Sequence, residues 1–595
     1  MQFEMTEQKK AYLEARGKVI LNACPGSGKT TSIAKKLILL QDECRKRNGR
    51  FSGIACLSFT NTAKDEIKEK YNELSGNYLE FPHKVSTIDS FINQYITLPY
   101  YYLFVKGATR PKILDDPSFL DEAWKGKWNF KSKNNQLICF AYPPSSIRFE
   151  SDGTFSSNGY KPDQSKVDPK LFDKYCTALK SWQKHTGLIT TSDSAFIGYK
   201  LLCEQPKIGN WLALRFPHII VDEAQDNSTI QHTLFDKLIE LGLSNIEFVG
   251  DPYQSLYEWR DADPKLFSSK YHDSDNWQGL DLTDDRRSPQ RIIDCFSLLR
   301  KRDDPKVNTA CKDDKGIPVF IYQYSETNTP HIVKHFDQFC RINGFENNQI
   351  VVRGNALKNQ MLGKKADQEP WKIDLAYRII DARHKYEGNE IKEAIKSMRS
   401  IAVSLMCKDK DYVEIKEIEQ ELKTDNQFNA KLLNLLHDLP KFDLTISEWT
   451  SETQDFLKKA FGLKFNLNFQ LKDRNSKSFN KAILIEPLEQ HFIRSYSKSN
   501  IPITTVHQVK GKTLDTILVF FNKDKHKDNI TFSDIEATVQ EFPSEKQRII
   551  YVALSRPRHL LAMAFPNSIS NEELKEKFGE EINIVDETEL LMCEE

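Results

Sequence analysis

No apolar run in this 595-residue chain approaches the roughly 20 residues of a membrane-spanning helix, and no basic segment with an apolar stretch opens it. The sequence therefore reads as cytoplasmic, with no membrane partner. A surplus of either charge is also missing: Lys and Arg total 84, as do Asp and Glu. Any polyanion must then be gripped by a local basic surface rather than by global charge. The eleven cysteines never form a C-x-x-C pair or a Cys/His cluster, which argues against structural zinc, an iron–sulfur cluster or a disulfide framework. No repeat of roughly 20–50 residues and no long low-complexity tract is found. What remains is a chain long enough for three or four ordinary domains.

The most informative stretch is Ala23-Cys24-Pro25-Gly26-Ser27-Gly28-Lys29-Thr30, between the apolar run Val19-Ile20-Leu21 and the helical pattern starting at Thr31. A strand, a glycine-rich turn and a helix start present backbone N–H groups and a helix's positive end to phosphate oxygens. Lys29 would reach the β- and γ-phosphates and the Thr30 hydroxyl would ligate Mg²⁺. Ala23 stands where the general pattern has its first glycine.

Helix and strand alternate over residues 1–95, which implies a parallel α/β sheet with ligands at the carboxyl ends of its strands. From 96 to 185 the texture turns aromatic and irregular, and alternation resumes at 186–280. A second α/β unit is expected over 281–364 and 496–575, interrupted by helical periodicity over 365–495 and followed by a tail over 576–595. Two parallel-sheet α/β units, each interrupted by an insertion, is the simplest description.

Hydrolysis of a nucleoside triphosphate needs a second acidic element, and Ile219-Ile220-Val221-Asp222-Glu223-Ala224-Gln225-Asp226 supplies one. Asp222, ending an apolar strand, would hold Mg²⁺, while Glu223 would orient and deprotonate the attacking water. In Gly250-Asp251-Pro252-Tyr253-Gln254-Ser255-Leu256-Tyr257-Glu258-Trp259-Arg260, Gln254 is placed to sense the γ-phosphate. Tyr257 and Trp259 are suited either to stacking on bases or to core packing.

With these residues in view the chain resembles the UvrD/Rep-like superfamily 1 DNA helicases. Met5-Thr6-Glu7-Gln8 resembles the family's adenine-reading motif, with Gln8 in the reading position. Ser58-Phe59-Thr60-Asn61 and Val85-Ser86-Thr87-Ile88-Asp89-Ser90-Phe91 resemble its first two DNA-touching motifs. Leu282-Thr283-Asp284-Asp285-Arg286-Arg287-Ser288, Val351-Val352-Arg353-Gly354-Asn355, the run 504–515 and the run 548–556 resemble the motifs of the second half.

The resemblance implies two RecA-like motor domains with ATP and Mg²⁺ between them and single-stranded or tailed duplex DNA across their top. Arg287 and Arg556 would be arginine fingers, with Gln8, Thr31, Arg286 and Asp515 at the nucleotide and Phe59, Thr60, Asn61, Thr87, Asp89, Tyr257, Trp259, Arg353, Asn355 and His507 along the DNA. It also implies 3′ to 5′ movement. Departures are Thr31 and Arg286 where the family often has arginine and tyrosine, Asp89 where it often has histidine, and Asp515 slightly late in its motif. The stretch after Arg556 is too short for an appended nuclease domain. In this the chain is similar to accessory helicases that work beside a separate nuclease, such as the helicase subunits of Gabija antiphage defence systems. The other readings are a DNA-end-binding ATPase sensor that activates such a nuclease without processive unwinding, and an RNA helicase of the same superfamily.

Overall fold

The computed structural model describes residues 3–106, 110–114, 117, 119–124, 130–131, 135–256, 262–325, 328–353, 369–387, 390–407, 410, 412–475, 479–492, 501–523, 529–539, 542–586 and 590. Continuous apolar runs become strands buried on both faces, the pattern of parallel sheets covered by helices. β1 (Lys18–Ala23), β2 (Ile54–Ser58), β3 (Lys84–Thr87), β4 (His218–Asp222), β5 (Asn245–Gly250) and β6 (Gln278–Leu282) form a parallel sheet ordered β6-β1-β5-β4-β2-β3. This order explains why motifs far apart in sequence converge. β1 lies beside β5, and β5 beside β4, so the phosphate loop, Gly250–Asp251 and Asp222–Glu223 leave one edge of one sheet.

The second sheet comprises β7 (Val319–Tyr324), β8 (Asn348–Val352), β9 (Ile503–Thr505), β10 (Leu514–Phe520), β11 (Pro557–Pro566) and β12 (Ile582–Val585), ordered β9-β8-β10-β11-β7-β12 and again parallel. These are two RecA-like units. The boundary placed at 280/281 falls inside β6, which is an edge strand of the first sheet. The stretch read as a tail, 576–595, includes β12, which pairs Val319 with Ile582. Ile96 and Tyr101, assigned to the first insertion, pack into the first unit's core, whereas that insertion's own core runs from Trp124 to Leu179. The helical insertion has a separate core around Trp371, Trp449 and Phe469. No helix among the described residues is long and apolar enough to cross a membrane.

A fully buried ion network fixes the first unit's N-terminus. Lys36 Nζ donates to the Tyr12 and Ala15 carbonyls at 2.7 and 3.0 Å and meets Glu247 Oε1 at 2.7 Å, and His218 Nε2 lies 2.6 Å from that same oxygen. Burial alone would raise the Glu247 carboxyl, but Lys36 and His218 outweigh it and hold it at about 2 against an ordinary 4.5. A depressed carboxyl stabilises the fold above its unfolded value, so this contribution is complete above 4.5 and is lost as pH falls through about 2. Burial lowers Lys36 at the same time and offsets part of the gain. Glu247→Gln, which leaves the ammonium without a counter-ion, is expected to cost about 3–5 kcal/mol. Thermal unfolding followed between neutral and acid pH checks this: the variant should melt lower at neutral pH and lose less on acidification than the parent.

Candidate functional site

The phosphate loop leaves β1 with Ala23 and Cys24 buried and turns through Gly26 (φ +70°) and Gly28 (φ +81°), a left-handed backbone region open to glycine. Gly26 is required for a second reason. A Cβ there would lie 1.9 Å from Asp285 Oδ1, so only hydrogen lets the loop approach the second unit. The approach is fixed by Arg286 N donating to Gly26 O at 3.0 Å, while Cys24 N, donating to Leu282 O at 2.9 Å, continues the pairing of β1 with β6. Ser27 closes the turn onto Cys24 O, and the helix Lys29–Asn48 starts immediately after it. Around the loop opens a cavity of about 560 Å³ lined from Ala23 to Thr31 on one side and by Arg286, Arg287 and Arg556 on the other.

Opposite the loop, Lys29 Nζ donates to Glu223 Oε1 at 2.5 Å and lies 3.5 Å from Asp222 Oδ1. Burial alone would lower the Lys29 ammonium, but the two carboxylates raise it above its ordinary value. Burial likewise acts to raise the Glu223 carboxyl, and Lys29 and Lys510 more than reverse it, so Glu223 is an anion. Glu223 has a positive φ, +53°, which a non-glycine residue rarely adopts. That turn, sparsely populated by side-chain-bearing residues, swings its carboxylate toward Lys29. Gln225 then fixes it: its Nε2 donates to Glu223 Oε2 while its Oε1 accepts from Asp251 N at 3.2 Å. Gly250 makes room for this, since a Cβ there would sit 2.2 Å from Gln225 Oε1. Asp222 Oδ1 is buried and accepts no hydrogen bond from the described residues; burial, only partly opposed by Lys29, raises this carboxyl to about 6, and such an oxygen suits a hard cation. With Thr30 at the first turn of the loop's helix, the donor set fits a magnesium ion bound together with a triphosphate.

The second unit contributes the opposite charge. Arg556 is buried; its Nε donates to Val552 O at 2.9 Å and its Nη2 to Gln254 Oε1 at 2.6 Å. Arg287 Nη1 donates to Ser555 O at 2.9 Å, and Asp285 Oδ1 accepts from the Arg287 and Ser288 amides at 2.6 and 3.1 Å. Burial, and Arg287 beside it, pull the Arg556 guanidinium below its ordinary range. Across the cleft, Lys510 Nζ donates to Asp226 Oδ2 with both groups buried. Gln225, Asp285 and Lys510 were all within sequence motifs quoted above, but spacing alone gave them no partner.

At the far end of the cavity the arrangement departs from the sequence expectation. Gln8 does not line the cavity: its Nε2 donates to Thr283 Oγ1 at 2.9 Å and its Oε1 accepts from Thr283 N at 3.0 Å. Glu4 lines it instead, 3.3 Å from Arg286 Nε and 3.3 Å from Lys312 Nζ. Asp515 does not line the cavity either. Its Oδ2 accepts from the Glu346 and Asn347 amides at 3.2 and 3.0 Å, tying the start of β10 to the turn before β8, while Gly511 and Thr513 reach the cavity in its place.

Of the expected DNA contacts, Phe59, Thr60 and Asn61 follow β2, Thr87 ends β3, Arg353 follows β8 and His507 follows β9. They therefore share the carboxyl edges of the two sheets. Thr60 and Thr87 cap helices by accepting from Ala63 N and Ser90 N at 3.1 and 3.2 Å. Asp89 Oδ1 accepts from Gln231 Nε2 at 3.0 Å, which orients that side chain. Burial and the nearby Arg353 guanidinium lower His507. Tyr257, Trp259 and Asn355 lie outside the described residues.

Comparison with known proteins agrees with this geometry. Residues 5–275 match the UvrD/REP helicase N-terminal domain and residues 466–568 the UvrD-like helicase C-terminal domain. The ATP-dependent DNA helicase PcrA of Staphylococcus aureus (strain NCTC 8325 / PS 47) is 24% identical over 67% of this chain and 54% of its own length. The ATP-dependent DNA helicase Rep of Buchnera aphidicola is 28% identical over 49% of this chain and 42% of its own. The chain thus spans about half the length of these helicases. Gabija protein GajB of Bacillus cereus (strain VD045) is 22% identical over 86% of this chain and 95% of its own length.

Proposed function

The chain belongs to the UvrD/Rep-like helicase family, and from that premise we propose that it is an ATP-driven motor that moves 3′ to 5′ along single-stranded DNA and unwinds duplex DNA. The observation that carries this reading is the pairing across one cleft of Lys29 and Glu223 from the first unit with Arg287 and Arg556 from the second. Such a site is complete only when the units are together, so nucleotide occupancy and cleft geometry are the same variable.

In this reading the loop amides and Lys29 bind the phosphates, and Glu223 takes the proton of the attacking water. Gln225 keeps the Glu223 carboxylate aimed. Arg287 and Arg556 meet the negative charge of the transferred phosphoryl group, and Gln254 holds Arg556 from the first unit. Thr30 and Asp222 would hold a magnesium ion, which would supply charge neutralisation at the phosphates. Closure of the cleft shifts the carboxyl edge of one sheet against the other, and a strand gripped at both edges is then drawn along by one step. The near-complete match in length to GajB supports a role in antiphage defence beside a separate nuclease.

Hydrolysis by the purified protein with and without single-stranded DNA, together with strand displacement from 3′-tailed and 5′-tailed duplexes, tests the proposal. Strong stimulation and displacement of the 3′-tailed substrate alone is expected. Stimulation without displacement would replace the motor by a DNA-end sensor that acts on its partner, and preferential stimulation by RNA would overturn the choice of nucleic acid.

A further inference from the structure

Arg300, Tyr551 and Tyr253 are largely buried where the two units meet, and the two tyrosines share a core cluster with Cys24 of the loop. From Arg300 and Tyr551 a continuous chain of contacts runs to Arg556. Arg300 Nη1 donates to the Tyr551 hydroxyl at 3.3 Å, and that hydroxyl donates to Asp251 Oδ2 at 3.2 Å. The same oxygen accepts from Gln254 Nε2 at 2.9 Å, leaving Gln254 Oε1 to accept from Arg556 Nη2 at 2.6 Å. Arg300 also lies 4.8 Å above the Tyr253 ring, whose hydroxyl donates to Asp304.

The chain has a direction imposed by the chemistry of a carboxamide. Gln254 presents an acceptor at one end and a donor at the other. With Nε2 committed to the Asp251 carboxylate, Oε1 must face the guanidinium. Were the amide to turn over, its NH₂ would point at Arg556 and no hydrogen bond could form. Asp251 therefore sets the orientation of Gln254; its Oδ1 accepts from Tyr253 N at 3.0 Å within its own turn, and its Oδ2 is reached from the second unit by Tyr551, which Arg300 holds.

We propose that Arg300 and Tyr551 are positioning residues for Arg556, aiming Asp251 so that Gln254 presents its carbonyl oxygen to the finger. The proposal rests on the ATPase reading above and goes beyond it, because it ties the finger's alignment to contacts formed only when the two units meet.

Tyr551→Phe removes the hydroxyl and keeps the ring against Tyr253 and Phe296. Its expected effect is a fall in kcat of about tenfold or more with ATP affinity and melting temperature near those of the parent. Arg300→Lys, which keeps a cation facing Asp251, is expected to retain most of the rate that Arg300→Met loses. A parental kcat in Tyr551→Phe overturns the relay, as does a loss in which kcat, affinity and melting temperature fall together. If Arg300→Met does not fold, Tyr551→Phe decides alone. A wild-type protein that hydrolyses no nucleotide would overturn the proposed function and the relay together, whereas an active wild type with an unaffected Tyr551→Phe overturns the relay only.

Discussion

Glu223→Gln is expected to slow DNA-stimulated ATP hydrolysis by about 10²–10⁴-fold while ATP and DNA still bind together. The residue's geometry gives both halves of that expectation. Its carboxylate is anionic because Lys29 and Lys510 outweigh its burial, so it is ready to accept a proton. Gln has nearly the same shape and retains an oxygen for the Lys29 hydrogen bond, but its amide cannot take the proton from water. The backbone of the proposed phosphate loop is left alone, since among the described residues Glu223 bonds the Lys29 side chain and no loop amide. Binding of a fluorescent ATP analogue, set beside single-turnover hydrolysis, separates the two effects. Full turnover in the variant would remove Glu223 from the role of base, and loss of binding equal to the loss of rate would make it a structural partner of Lys29.

The phosphate loop, Asp222 and Glu223 were legible because each is a local pattern, an apolar strand ending in residues of defined chemistry, and such patterns carry their own structural context. The parallel α/β architecture was legible for the same reason: runs such as Ile219-Ile220-Val221 have one stable environment, between two helical layers. Gln8 and Asp515 are held here by Thr283 and the Glu346–Asn347 turn, 275 and more than 160 residues away, and no local pattern announces a pairing of that kind. Gln225 was visible as a letter in its motif, yet its role depends on Gly250 lacking a side chain one strand over. β12 was hidden because four apolar-to-polar residues after a helix give too short a run for periodicity; only the free edge of β7 makes it a strand.

Arg556→Ala is expected to reduce kcat by about 10³–10⁵-fold, the range that arginine fingers contribute. In this structure the guanidinium is buried, anchored at Val552 O and Gln254 Oε1, and close to a second guanidinium, Arg287, with burial and that neighbour both disfavouring its charge. An isolated cation in such a place is expensive, and negative charge entering the cleft relieves it. The triphosphate carries charge already; what grows during transfer is charge at the bridging and leaving oxygens, which is where a fixed guanidinium from the opposite unit acts without reorganising. The loss should therefore appear in kcat, with ATP affinity changed by no more than about threefold. Arg556→Lys should recover little, because a single ammonium cannot bond Val552 O and Gln254 Oε1 in the same planar geometry while facing a phosphate. Steady-state kinetics with an independent measure of nucleotide affinity checks both variants. A lysine variant with near-parental turnover would reduce Arg556 to a point charge, and the alignment provided by Gln254, and by the residues behind it, would then have no bearing on the rate.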